Sequence, residues 1–190
     1  MPEEEKTERK ELHTMPTLAL RGLTIYPKMM VHFDVGREAS IKAIEEAMSS
    51  NTSIFLVAQK DIRVEVPDRN HLFDIGTVST VRQILRLPGK TIRVMVEGEY
   101  RARLHDLVQT EPYLVAQVEP AEHGPAYEGK SNSLRAEAAI RQAYELFDRY
   151  CELSPKSASA EMLMNIMSSE DPGYIADFIA QNVSMRVLDK

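Results

Sequence analysis

Cysteine and long apolar runs are both scarce in this chain. The single cysteine, Cys151, excludes a disulfide within the chain, which agrees with a reducing cytoplasm. The longest apolar run, residues 54–58, is far shorter than the roughly 20 residues that a membrane-spanning helix needs. The opening MPEEEKTERKELHT lacks the apolar stretch of a targeting sequence. We therefore predict a cytoplasmic protein without a membrane partner, and a flexible tail over residues 1–14.

Basic residues are outnumbered by acidic ones. The chain has 23 Lys and Arg against 29 Asp and Glu, a net charge of −6. Because nucleic-acid binding depends on clustered cations that neutralise phosphates, this balance argues against a general nucleic-acid binder. Hydrophobic residues make up 43% of the 190 residues, which is enough for a core that needs no disulfide or metal.

Residues that could carry catalysis or bind metal are scattered. The histidines show no second ligand at metal-binding spacing: His13, His32, His71, His105 and His123. Cys151 follows Phe147 and Tyr150 on a predicted helix, a pattern typical of a packed thiol rather than a nucleophile. The sequence therefore predicts no catalytic residue and no metal site.

One segment, residues 124–131, matches the P-loop pattern of two glycines followed by Lys and Ser. Glu128 would place a carboxylate beside the phosphates, and no later parallel strand ends in an Asp that could hold Mg²⁺. We interpret the match as chance and predict no cofactor in this chain. Mg²⁺-dependent nucleotide binding that is lost in Lys130→Ala would contradict this interpretation.

Alternating apolar residues predict strands in the first part of the chain. The predicted strands are TLALRG, MMVHFDV, SIFLVAQ, GTVSTVRQILRL, TIRVMVEG and PYLVAQVE. One helix interrupts them in REASIKAIEEAM, where Ile41, Ile44 and Met48 recur at helical spacing. We predict an α+β fold in which residues 15–120 form an antiparallel barrel, closed or nearly so, with one packed helix.

The second part of the chain has helical periodicity and follows a linker over residues 121–132. The first helix has an apolar stripe: Ala136, Ile140, Ala143, Phe147 and Tyr150. It should end before Pro155, because proline disfavours helix in the residue before it. A second helix is predicted over residues 160–167, and a third begins at Asp171-Pro172, an N-cap followed by proline. Residues 133–190 are thus predicted to form a small helical subdomain.

A predicted hairpin turn at Leu87-Pro88-Gly89-Lys90 supplies one candidate binding surface. Pairing across it puts Leu85 opposite Ile92 on the core face. The outer face then carries Arg82, Ile84, Arg86, Thr91, Arg93 and Met95. Arg and Met are enriched at protein interfaces, so this mixed face is a candidate for binding polypeptide. A solvated face, with arginine stems covering stray apolar groups, is the alternative.

Two further candidates lie nearer the start of the chain. Tyr26 and Pro27 offer rigid apolar surface, and alternation places Met30 on the outer face of its strand. Alternatively, Tyr26 covers the mouth of the barrel. The charged helix start, Arg37 and Glu38, is a candidate for contacts between copies of the chain, with a local salt pair as the plainer alternative.

The ordered segments resemble Lon proteases over about residues 16–188. The resemblance rests on TLALRGLTIYPKMMVHFDVGREASIKAIEEAM, SIFLVAQKD, DIGTVSTVRQILRLPGKTIRVMVEGEYRARL, PYLVAQVEP and the Asp171-Pro172-Gly173 segment. It implies a PUA-like β-rich subdomain followed by a helical bundle. It also implies a non-catalytic recognition and assembly domain of a hexameric ATP-dependent serine protease that degrades misfolded and regulatory proteins. ATP, Mg²⁺ and the Ser-Lys dyad would then belong to ATPase and protease modules that this chain does not contain.

The leading hypothesis from the sequence is a module that binds unfolded or misfolded polypeptide. Such binding must tolerate varied sequences, and several copies on one ring would strengthen weak sites. One alternative is a stand-alone adaptor with the same domain. Another is a PUA-like RNA-binding module, which the basic hairpin favours and the net charge of −6 opposes.

Overall fold

The computed structural model describes residues 11–121, 134–154, 166, 169 and 171–186. The strands are β1 His13–Leu20, β2 Met30–Val35, β3 Ile54–Ala58, β4 Ile75–Arg86, β5 Ile92–Gln109 and β6 Leu114–Pro120. The helices are α1 Glu38–Ser49, α2 Leu134–Leu153 and α3 Pro172–Asn182. The predicted α+β class, the strand positions and these helices are confirmed. The P-loop-like segment, and the predicted helix over 160–167 except Ile166, lie outside the described residues.

The six strands form one sheet in the order β2-β5-β4-β3-β1-β6, and β5 also pairs with β6. The long β5 makes this possible, because it pairs with β2 along its first half and with β6 along its second. The antiparallel prediction is wrong for β1 and β3, which are parallel. Parallel neighbours need a crossover, and α1 supplies it by packing against β1 between the two strands.

The hairpin pairing predicted between β4 and β5 is wrong by one residue near the turn. Ile92 lies opposite Arg86 rather than Leu85. A bulge just after Val81 adds an extra residue to β4, and a slip of one residue moves each side chain to the other face. Ile84 therefore packs against the core, whereas Leu85 is 53% exposed, the reverse of the prediction.

α2 and α3 pack on the sheet through a separate apolar cluster, which we call the junction cluster. Its buried members are Tyr26, Met29, Phe147, Ile166, Ile175 and Phe178. The predicted start of α3 is confirmed, because the Asp171 side chain accepts hydrogen bonds from the N–H groups of Gly173 and Tyr174. The junction cluster thus joins the loop before β2 to α2 and α3.

Candidate functional site

The outer face of β2, β5 and β4 carries a diagonal row of apolar side chains, Met30, Met95 and Leu85, which we call the apolar stripe. Met95 lies opposite His32 on β2 and Gln83 on β4, so Met30 and Leu85 are its diagonal neighbours. Met30 is 57% exposed, Leu85 is 53% exposed, and Met95 is half-buried between them. Since neighbouring strands lie about 4.8 Å apart, the row crosses about 10 Å of sheet.

Ion pairs hold the arginines of this face. Arg93 donates to both carboxylate oxygens of Asp34, at 2.6 and 2.9 Å, and this bonding holds the pKa of Asp34 below its usual range. Arg82 bonds Glu97 at 2.7 Å. Arg86 does not lie on the predicted outer face, because the bulge places it opposite Ile92 on the core side of β4, where it bonds Glu45 of α1 at 3.0 Å. The face is therefore apolar with paired charges, so these arginines offer fewer unpaired cations to RNA than the sequence suggested.

The loop before β2 lies against β5 at Gly98. The Lys28 N–H donates to the Gly98 carbonyl at 2.7 Å, and the Gly98 N–H donates to the Met29 carbonyl at 2.9 Å. A Cβ atom on Gly98 would lie 2.2 Å from the Tyr26 carbonyl oxygen, so the approach requires glycine. Tyr26 is only 6% exposed and faces the junction cluster, while Pro27 is half-buried. Of the predicted loop residues, Met30 alone reaches the apolar stripe.

Polar groups reinforce the contact between sheet and helices. Arg101 on β5 forms an ion pair with the buried Asp177 of α3, and its guanidinium lies 6.0 Å from the centre of the Tyr26 ring. Lys28 bonds Asp171 at 2.8 Å. Burial, together with the charge of Asp177, raises the pKa of Tyr26, and Arg101 opposes that rise. The Tyr26 hydroxyl is buried and has no hydrogen-bond partner among the described residues.

The predicted contact residues at the start of α1 point in different directions. Arg37 turns inward, where it donates to the Ala19 carbonyl and, at 3.1 Å, to the Gln59 side chain. Glu38 pairs with Lys42 one turn later at 2.8 Å, rather than with Arg37. Arg37 is thus half-buried and braces β1, while Glu38 faces solvent.

Other chemistry finds little support in the described part of the chain. No group of three or more His, Cys, Asp or Glu side chains there is arranged to hold a metal ion. Cys151 is half-buried against the junction cluster, as the prediction of a packed thiol requires. Among the described helices, none has the length and apolar character to cross a bilayer. What remains as a candidate site is the apolar stripe.

A solved structure with a similar fold is the N-terminal domain of the Mycobacterium avium complex Lon protease. It superposes with a TM-score of 0.63 at 18% sequence identity, over 87% of this chain and 80% of that one. That likeness concerns the fold alone. It supports the arrangement of a β-rich part followed by helices.

Sequence relatives are closer. The chain is 40% identical over 183 residues to the Lon protease of Brevibacillus choshinensis, and 37% identical over 177 residues to Lon protease 1 of Bacillus subtilis strain 168. These matches cover 96% and 93% of this chain but only 23% and 22% of the relatives. The family model for the substrate-binding domain of ATP-dependent protease La (Lon) matches residues 14–190. The chain therefore belongs to the family of Lon substrate-binding domains.

Proposed function

We propose that this chain is a non-catalytic recognition domain that binds unfolded or misfolded polypeptide through the apolar stripe. The observation that carries the proposal is a row of exposed apolar side chains edged by paired charges. Folded proteins bury most of their large apolar side chains, so such a row favours unfolded segments without reading one sequence. Two methionines suit this role, because their flexible side chains adapt to different partners. We assign binding to residues 15–120, with 133–190 as a helical support.

The larger context is also a proposal, drawn from the relatives. The chain would be one part of a cytoplasmic ATP-dependent protease in which separate modules bind ATP with Mg²⁺ and cleave the substrate with a Ser-Lys dyad. A hexameric ring would present several stripes together. Weak contacts on neighbouring copies would then act at high effective concentration on one substrate chain. Arg37 and Glu38 remain our candidates near contacts between copies, with Glu38 the exposed member.

Replacing the three stripe residues with serine tests the proposal. We expect the variant Met30→Ser, Leu85→Ser, Met95→Ser to bind unfolded protein at least tenfold more weakly, because each apolar side chain buried on binding contributes about 1 kcal/mol. The assay is fluorescence anisotropy with a labelled, reduced and carboxymethylated protein, and the native form of the same protein should not bind. Ile84 is excluded from the set because it packs against the core.

A matched control distinguishes binding at the stripe from nonspecific binding through other exposed apolar side chains. Ile62 and Val66 lie in the segment after β3, outside the stripe, and are 58% and 82% exposed. The double variant Ile62→Ser, Val66→Ser removes comparable apolar surface and should bind as the parent chain does. If both variants lose affinity equally, or if the stripe variant keeps full affinity while its circular dichroism is unchanged, the stripe is not the binding site.

A further inference from the structure

Two strand edges face a shared groove on the opposite side of β2 from β5. β1 pairs with β6 as far as Thr17, and with β3 from Thr17 to Leu20. In the described chain, residues 18–20 therefore have a strand partner on the β3 side only. β2 pairs only with β5 among the described strands. A groove of about 310 Å³ is lined by residues 18–21 and 33–35 from these edges. We call it the β1–β2 groove.

The groove has an apolar wall. Leu20, Leu23 and Phe33 are among the residues that line it, and Leu23 and Phe33 are only half-buried. An unpaired strand edge accepts an extended chain through backbone hydrogen bonds, and alternate side chains of that chain enter neighbouring pockets. The wall therefore suits one apolar side chain of an extended segment that lies along β2.

The start of α1 gives the groove a positive end. Gly36, Arg37 and Ser40 line it, and the N-cap residue Arg37 provides no side-chain cap for the first N–H groups of the helix. Those groups carry the positive end of the helix dipole and favour an anion. Arg21, also on the lining, is exposed and adds a second cationic side chain beside Arg37, with one of its N–H groups donating to the Val64 carbonyl at 2.8 Å.

A second observation points to a ligand at the same place. Ser40 is only 8% exposed, yet its side chain makes no hydrogen bond to any other residue of the described chain. Ser40 lines the groove, and we assign its hydroxyl as a donor to the ligand there. Asp34, the acidic residue on the lining, is bonded to Arg93 at 2.6 Å, so its charge is already balanced. The remaining polar groups favour a carboxylate.

We propose that the β1–β2 groove binds the carboxyl end of an extended polypeptide. The terminal carboxylate accepts hydrogen bonds from Arg21, the Ser40 hydroxyl and the first N–H groups of α1. The backbone pairs with the edge of β2, and the last apolar side chain lies between Leu23 and Phe33. This inference deepens the proposed function by naming free carboxyl ends of unfolded chains as a substrate class, and it uses a different surface from the apolar stripe.

Two forms of one peptide test the inference on the 190-residue chain. A short, unstructured, dye-labelled peptide ending in Val-Leu is compared with its C-terminal amide by fluorescence anisotropy. We expect the amide to bind about tenfold more weakly, because it lacks the charge that strengthens the hydrogen bonds. Arg21→Gln and Ser40→Ala should each weaken binding of the acid and leave the amide unchanged.

Arg63→Gln is the matched control for Arg21. Arg63 is an exposed arginine bonded to Asp61 and absent from the groove lining, so its loss should leave both peptides unaffected. Amide NMR shifts should change at residues 33–35 and at Ser40 when the acid peptide is added. A peptide ending in Ser should bind more weakly than the one ending in Leu.

The outcomes separate this inference from the proposed function. Equal affinity for acid and amide overturns it, and so does inorganic phosphate that displaces the acid peptide at the peptide's own concentration. If unfolded protein still binds in either case, and the stripe variant weakens that binding, the proposed function stands. If the acid peptide binds as expected while unfolded protein does not, the inference holds and the proposed role of the stripe fails.

Discussion

Tyr26→Phe should stabilise this protein, although the change removes a polar group from a buried position between the sheet and the helices. The Tyr26 hydroxyl is buried and has no hydrogen-bond partner among the described residues. Burying such a group costs about 1–3 kcal/mol relative to leaving it in water. Phenylalanine keeps the ring against Met29 and Phe178 and removes that cost. We expect the free energy of unfolding to rise by about 1 kcal/mol.

Tyr144→Phe is the matched control, because the same atom is removed with the opposite expected sign. The Tyr144 hydroxyl donates to the carbonyl of Ile166 at 2.7 Å, and Ile166 is fully buried. Its loss leaves that carbonyl without this donor, which costs about 1 kcal/mol. For a chain of this size, each change should move the melting temperature by about 2–4 °C, upward for Tyr26→Phe and downward for Tyr144→Phe.

Differential scanning calorimetry and urea unfolding of both variants measure the two shifts. The denaturant slope should be unchanged, since neither substitution alters the surface exposed on unfolding. A lower melting temperature for Tyr26→Phe would show that its hydroxyl contributes favourably to the folded state. That result would refute the reasoning, whatever Tyr144→Phe does.

Two further predictions follow from close contacts and from charge. Gly98→Ala should destabilise the chain by about 3 kcal/mol, because the added methyl would lie 2.2 Å from the Tyr26 carbonyl oxygen. Gly36→Ala is the control, because its added methyl would have its nearest neighbour 3.7 Å away. Urea unfolding should show almost no change in stability for Gly36→Ala. Hydrogen bonds from Arg63 lower the pKa of Asp61 from 3.8 to about 2. Because the pKa of Asp61 is lower in the folded state than in the unfolded state, its ionised carboxylate stabilises the fold above about pH 4. That stabilisation is lost as the pH falls from about 4 to about 2. NMR titration of the parent chain should give Asp61 a pKa of about 2, and Arg63→Gln should raise that pKa. An unchanged pKa in the variant would contradict the role given to Arg63.

Much of the fold could be predicted because local pattern and tertiary structure agree. Strands rich in Val and Ile, and the Asp171-Pro172 helix start, carry their signal in a few adjacent residues. The parallel pairing of β1 with β3 is different, since it depends on where the intervening chain returns. No local pattern in β1 or β3 specifies that return.

The candidate site was predicted in part, and one bulge accounts for the main error. Met30 and Met95 lie on the outer face as alternation predicts, but the extra residue after Val81 exchanges Ile84 for Leu85. A bulge leaves little trace in a hydrophobic pattern when the two residues it exchanges are both aliphatic. The ion pairs of Arg86 and Arg93 were also not foreseeable, because their partners lie 41 and 59 positions away in the chain.

The four residues from Tyr26 to Met29 have a mechanical consequence. Lys28 and Met29 bond to Gly98 of β5 through their backbone, and the Tyr26 and Met29 side chains pack against α2 and α3. A tilt of α2 and α3 would therefore act on β5 at Gly98, three residues after Met95. A force on α2 or α3 would thus reach β5 close to Met95 through this loop.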